Sequence, residues 1–159
     1  MRALLLAMLC SVAVFGRAEA ADPPHPREVR AFMAHIAAAS RARDLAAISA
    51  ALSSDCRIEL RSVVDGREEV SLLTRAEYMD VLSTGFAALK DLDDYDYRAS
   101  TLAVTIDHEP PGATVVSDVR ESFSLRGHRQ VTDSRETARV ERRGGALKLV
   151  AVSAETRGH

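Results

Sequence analysis

Apolar residues first recur at helical spacing. Val29, Phe32, Met33, Ile36 and Ala37 share one face of a helix that runs to about Ala39. Pro26 suits its first turn, after a stiff stretch Asp22-Pro23-Pro24-His25-Pro26. Asp44 is a good N-cap for a second helix carrying Leu45, Ile48, Ala51 and Leu52, and Ser53-Ser54-Asp55 is expected to end it. The period then changes to two. Ile58, Leu60, Ser62 and Val64 alternate with Arg57, Glu59 and Arg61, and Asp65-Gly66 predicts a hairpin to a return strand with Val70 and Leu72. Thr74-Arg75-Ala76-Glu77 reads as a capping box for a third helix, its buried stripe Tyr78, Val81, Leu82, Phe86 and Leu89. Beyond Lys90 two-fold alternation predicts strands at about 94–107, 113–126, 129–142 and 146–154, joined at Pro110-Pro111-Gly112, Gly127-His128 and Gly144-Gly145. Three helices and a long meander give an α+β class: one domain, its helices segregated to one face of a curved, mainly antiparallel sheet.

Composition removes alternatives. A net charge of -2 over 159 residues gives no electrostatic basis for nucleic-acid binding. Aromatic residues at 4%, with no Trp, argue against a stacking platform. Met1-Arg2, the apolar run to Gly16 and the small-x-small Ala18-x-Ala20 read as a signal peptide over residues 1–20. The run is too short for a membrane anchor, and the bulky Leu9 before Cys10 disfavours a lipidated cysteine. Export to the periplasm or medium is therefore expected, with no membrane attachment after cleavage. Cleavage takes away Arg2, Arg17 and Glu19, leaving 19 basic against 22 acidic residues. It also leaves Cys56 alone, either as a buried structural thiol or as one for intermolecular chemistry. The domain plan is a signal peptide at 1–20, a flexible leader at 21–28, the domain at 29–155 and a tail at 156–159.

The order of elements resembles the nuclear transport factor 2-like superfamily in its SnoaL-like bacterial form. The resemblance rests on Arg43-Asp44-Leu45-Ala46-Ala47-Ile48, on Thr74-Arg75-Ala76-Glu77-Tyr78, and on Arg135-Glu136-Thr137 leading to the Arg142-Arg143-Gly144-Gly145 hairpin. It implies a cone-shaped domain that encloses a pocket between sheet and helices, and a homodimer. It also implies isomerases, dehydratases, cyclases or hydrolases among the relatives, alongside non-catalytic members. Phe32 and Met33 on the first helix do not match a Tyr–Asp isomerase pattern.

Parity along the strands selects what faces that pocket. Ala113, Val115, Val119, Phe123 and Leu125 share a face interrupted by Ser117 and Glu121. With Gly127-His128 as a two-residue turn, the facing strand presents Ser134, Glu136, Ala138 and Val140, and Leu102, Val104, Ile106 and Arg98 join from the other side. Arg98, Glu121 and Glu136 would then form a polar cluster on an apolar wall, the two glutamates diagonal neighbours about 7–8 Å apart at Cα. Desolvated carboxylates can transfer protons; equally, this cluster can contact a ligand or form a structural ion pair, and one β-bulge would invert the assignment. Tyr78 lines the pocket or fills the core, whereas Tyr95 and Tyr97 suit the outer face. The five histidines lack helical pair spacing, so no metal is expected. The run Asp91, Asp93, Asp94, Asp96 fails the calcium-loop pattern at Asp96 and Leu102.

The reading is an exported domain that binds a small apolar ligand or a protein partner without catalysis and without a cofactor. Ligand contacts are assigned to Arg98, Tyr78, Glu121 and Glu136. The alternative is a cofactor-independent isomerase, dehydratase or hydrolase with Glu121 or Glu136 as general base. A third possibility is a module whose interior is filled by its own side chains.

Overall fold

The computed structural model describes residues 22–158, apart from 65, 66, 91, 93 and 126. The segment read as an export signal and the Asp65-Gly66 turn therefore lie outside the described residues. The elements run α1 (Pro26–Ala42), α2 (Leu45–Ala51), β1 (Leu52–Val64), β2 (Arg67–Thr74), α3 (Arg75–Ala88), β3 (Asp96–His108), β4 (Pro111–Leu125), β5 (His128–Arg143) and β6 (Ala146–Gly158). The strands form one sheet in the order β2-β1-β6-β5-β4-β3. Only β1 and β6 run parallel; every other neighbouring pair is antiparallel.

Each helix begins where its side chains satisfy backbone N–H groups. The His25 imidazole accepts from Arg27 N, and the Glu28 carboxylate accepts from His25 N. Asp44 accepts from Ala47 N, and Thr74 with Glu77 completes the capping box on α3. A cap of this kind contributes about 1 kcal/mol. Three boundaries differ from the sequence reading. Helix α1 starts at Pro26, the residue expected in its first turn, and so takes in the last three residues of the leader drawn at 21–28; Pro24 is buried. Ser53-Ser54-Asp55 belongs to β1, because Leu52 already pairs with Leu149 of β6. Strand β6 runs through the expected tail to Gly158.

The helices cover one face of the sheet. Val29, Ala39 and Ile48 pack there with Ile58, Ala113, Val115, Ala138, Val140 and Leu149. Tyr78, Leu82 and Phe86 of α3 join this core, while Val81 stays half exposed. Arg43 closes α1 in the left-handed region, at φ 55°. Its guanidinium donates to Leu89 O at 2.6 Å and lies 4.6 Å from the centroid of the Tyr95 ring, which ties the ends of α1 and α3 to the start of β3. Cys56 is buried, and burial pushes its thiol up to about 11, so it is an unreactive core residue.

Candidate functional site beneath the first helix

Cross-strand register sorts the helix-facing side of the sheet into rows. One row is wholly apolar: Val104, Val115, Ala138, Val152, Ile58 and Leu73. The next is Thr101, Ser117, Glu136, Ala154 and Leu60. Then come Ala99, Val119, Ser134, Thr156 and Ser62, with Ser134 and Thr156 hydroxyls 3.2 Å apart, and finally Tyr97, Glu121 and Thr132. The inner face thus grades from apolar to polar along the strands, and both glutamates lie on it.

Two expectations are corrected. Strand β4 meets β5 with Leu125 opposite His128, two residues out of the expected register. An even shift preserves parity, so Glu121 and Glu136 stay inward, but Glu121 faces Thr132 and Glu136 faces Ser117. They are not diagonal neighbours. Arg98 is the second correction. The β3–β4 register shifts between Thr101 and Ala103, a bulge at Leu102 that inverts parity along the first half of β3. Arg98 therefore points outward, 76% exposed, and pairs with Asp96 at 2.8 Å. Tyr97 takes the inward position and is buried. The change of phase was visible in the sequence: Tyr97, Ala99 and Thr101 alternate with Asp96, Arg98 and Ser100, out of step with Leu102, Val104 and Ile106.

Around the carboxylates stand three phenols, two of which sequence reasoning placed outside. Tyr95 donates its hydroxyl to Glu121 Oε1 at 2.9 Å. Burial holds the Tyr78 and Tyr97 hydroxyls well above the usual phenol range, and the Glu136 charge adds to it. For Tyr95 the causes are burial and then Glu121. All three phenols are thus neutral donors at physiological pH. Glu136 is pushed up to about 7, first by burial and second by the charge of Glu121, with no hydrogen bond to its carboxyl among the described residues. Near neutrality it exists both as acid and as base. Glu136 lines a small pocket of about 120 Å³ beneath α1, walled by Arg30, Met33, Ala34, Ile36 and Ala37 of the helix and by Tyr97, Ala99, Thr101 and Ser117 of the sheet.

Among the described residues no group of three or more His, Cys, Asp or Glu side chains could hold a metal ion. Asp94 accepts instead from Ser124 N, and Asp96 holds Arg98; Asp91 and Asp93 lie outside the described residues. No helix among them is long and apolar enough to cross a membrane.

No protein-family model and no curated protein matches the chain. Solved structures do. An NTF2-like protein from Cytophaga hutchinsonii superposes with a TM-score of 0.60 at 14% identity, over 84% of this chain and 100% of that one. A ketosteroid isomerase-like protein from Erwinia carotovora gives 0.60 at 14%, covering 82% and 94%. The hexachlorocyclohexane dehydrochlorinase LinA-type3 from Novosphingobium barchaimii gives 0.61 at 10%, covering 84% and 87%. At such identities the likeness is one of fold, and function has to be argued from the site.

Proposed function

We propose that this chain, a nuclear transport factor 2-like fold, binds a small, mostly apolar molecule in the pocket beneath α1, with the ligand's one hydrogen-bonding group set against Glu136. The observation that carries this is the inward Glu136 carboxyl, unpartnered among the described residues, facing the apolar side chains Met33, Ala34, Ile36, Ala37 and Ala99 on a wall that Arg30, Tyr97, Thr101 and Ser117 complete. A buried polar group of this kind is costly until something bonds to it. At about 120 Å³ the pocket is smaller than the usual 300–1,000 Å³ ligand site. The ligand is therefore a molecule of few heavy atoms, or the tip of a larger one. Titrating the exported protein with para-cresol, followed by amide shifts, tests this. Saturable shifts at Ala99, Thr101 and Ser117, lost when Ala34→Leu fills the pocket, are expected. Shifts confined to other surfaces would sink the reading. Export and homodimer formation, implied by the signal-like start and by the resemblance, belong to the same proposal; native mass spectrometry of the secreted protein reads both.

A second reading is cofactor-independent proton transfer, of isomerase or dehydratase type, and one observation favours it. A carboxyl brought to about 7 on the same pocket wall as the neutral Tyr97 side chain supplies a base and a donor for a developing oxyanion. Deuterium exchange of the α-protons of cyclohexanone separates the two. Exchange that rises through about pH 7 and disappears in Glu136→Gln supports catalysis; exchange at the buffer rate supports binding alone.

A further inference from the structure

A different pocket lies where the C-terminal end of α2, the start of β1, the first turn of α3 and the β5–β6 hairpin meet. It is an open depression of about 540 Å³. Two buried donors on its wall have no hydrogen-bond partner among the described residues: Ser53 Oγ and Arg75 Nε. Ser53 is only 7% exposed. It lies close enough to Asp55 to hold that carboxyl below its usual range, but not in a geometry that satisfies the hydroxyl. Arg75 Nη2 donates to Ser49 O at 2.9 Å and to Ser49 Oγ at 2.6 Å. Ser49 Oγ, having accepted, keeps its own proton to give. Lys148 reaches the same wall and donates to Ala50 O.

We infer that this pocket is an oxyanion site, taking a group of the phosphate or sulfate type. Donors outnumber acceptors on its wall: two hydroxyls, a guanidinium N–H and an ammonium, with Asp55 the one carboxylate among them. Arg143 also lines it but is partly taken up by Glu141 at 2.8 Å. That leaves Arg75 and Lys148 against Asp55, an excess of positive charge. A guanidinium cannot give up its proton, so a buried Nε–H has to be met by an acceptor from outside. Charge-assisted bonds to a tetrahedral oxyanion meet that requirement with several lone pairs at once. The site shares no residue with the pocket under α1 and is independent of the function proposed there.

The test is an amide-shift titration at constant ionic strength and pH 7.5, with inorganic phosphate in one arm and phenyl phosphate in the other. Saturable shifts at Ser53, Ser54 and Arg75 are expected. Equal affinities identify a free anion and a tighter ester identifies a pendant phosphoryl group; either supports the site. Ser53→Ala and Arg75→Gln should each weaken binding about tenfold. Should Arg75→Gln fail to fold, Ser53→Ala with Lys148→Gln carries the test, since neither removes a core contact. Shifts that do not saturate, or that persist unchanged in Ser53→Ala, would overturn the proposal and leave the two donors to water.

Discussion

The pocket under α1 and the pocket beside α2 hold the same defect with opposite sign. Each holds a polar group that no other described residue satisfies: the desolvated Glu136 carboxyl facing its pocket in one, the buried Arg75 Nε–H and Ser53 hydroxyl in the other. What differs is the means of relief. A carboxyl in a desolvated place takes up a proton and becomes neutral, which is why Glu136 sits near 7. A guanidinium has no such route, since it stays charged at every pH a protein survives. One region is therefore tuned by pH and the other by an external acceptor. The same desolvation penalty yields a proton-responsive group where the residue is an acid, and a demand for a ligand where it is a permanent cation.

The strongest way to break this contrast is Glu136→Gln. Because the carboxyl has a higher pKa folded than unfolded, the native state binds more protons between about 4.5 and 7. Its contribution to stability is fully present below the unfolded value and is lost as pH rises through about 7. The amide variant lacks that loss. Denaturant unfolding should find it more stable than the parent at pH 8, by on the order of 3 kcal/mol as an upper bound, and close to the parent at pH 4. A constant difference across that range would mean that Glu136 is not desolvated. A smaller effect is expected from Arg43, a cation that has partners within the fold, the Leu89 carbonyl and the Tyr95 ring. Arg43→Ala removes its bond to Leu89 O and its stacking on Tyr95, a loss of about 1–2 kcal/mol. That loss should be the same at pH 5.5 and pH 8 by thermal unfolding. A marked dependence on pH would show the Arg43–Tyr95 contact coupled to Glu136.

The sequence carried one of these regions and concealed the other. Alternation in β4 and β5 placed Glu121 and Glu136 inward, and that assignment survived a register error because the slip was by two residues, which preserves facing. Arg98 was misplaced because a single extra residue at Leu102 reverses everything before it in β3. Tyr97 was lost from the site for the same reason, although its own local alternation with Arg98 held the correction. The basic pocket had no local signal at all. Ser53-Ser54-Asp55 has the composition of a helix end, and only pairing of Leu52 with Leu149, nearly a hundred residues away, draws the segment into a strand and buries Ser53. Arg75 looked like the second residue of a capping box, which it is; that its Nε is also buried follows from packing against α2. Facing is a property of neighbours along the chain, whereas an unsatisfied donor is a property of distant elements meeting.

The smallest effect gives the sharpest test, because its sign depends on the solution. Ser53→Ala deletes a buried hydroxyl that has no partner among the described residues. In buffer free of oxyanions the variant should therefore be slightly more stable than the parent, by up to about 1 kcal/mol, since the desolvation cost goes and only the hydroxyl's hold on the exposed Asp55 carboxyl is lost. Phosphate should reverse the order. A ligand that binds only the folded chain adds stability in proportion to the logarithm of its concentration over Kd, about 1.4 kcal/mol at ten times Kd. The parent gains that increment at a tenfold lower phosphate concentration than the variant. Urea midpoints measured with and without phosphate at matched ionic strength should cross. Parallel midpoints would assign the Ser53 hydroxyl to solvent and reduce the comparison to its pH-tuned half.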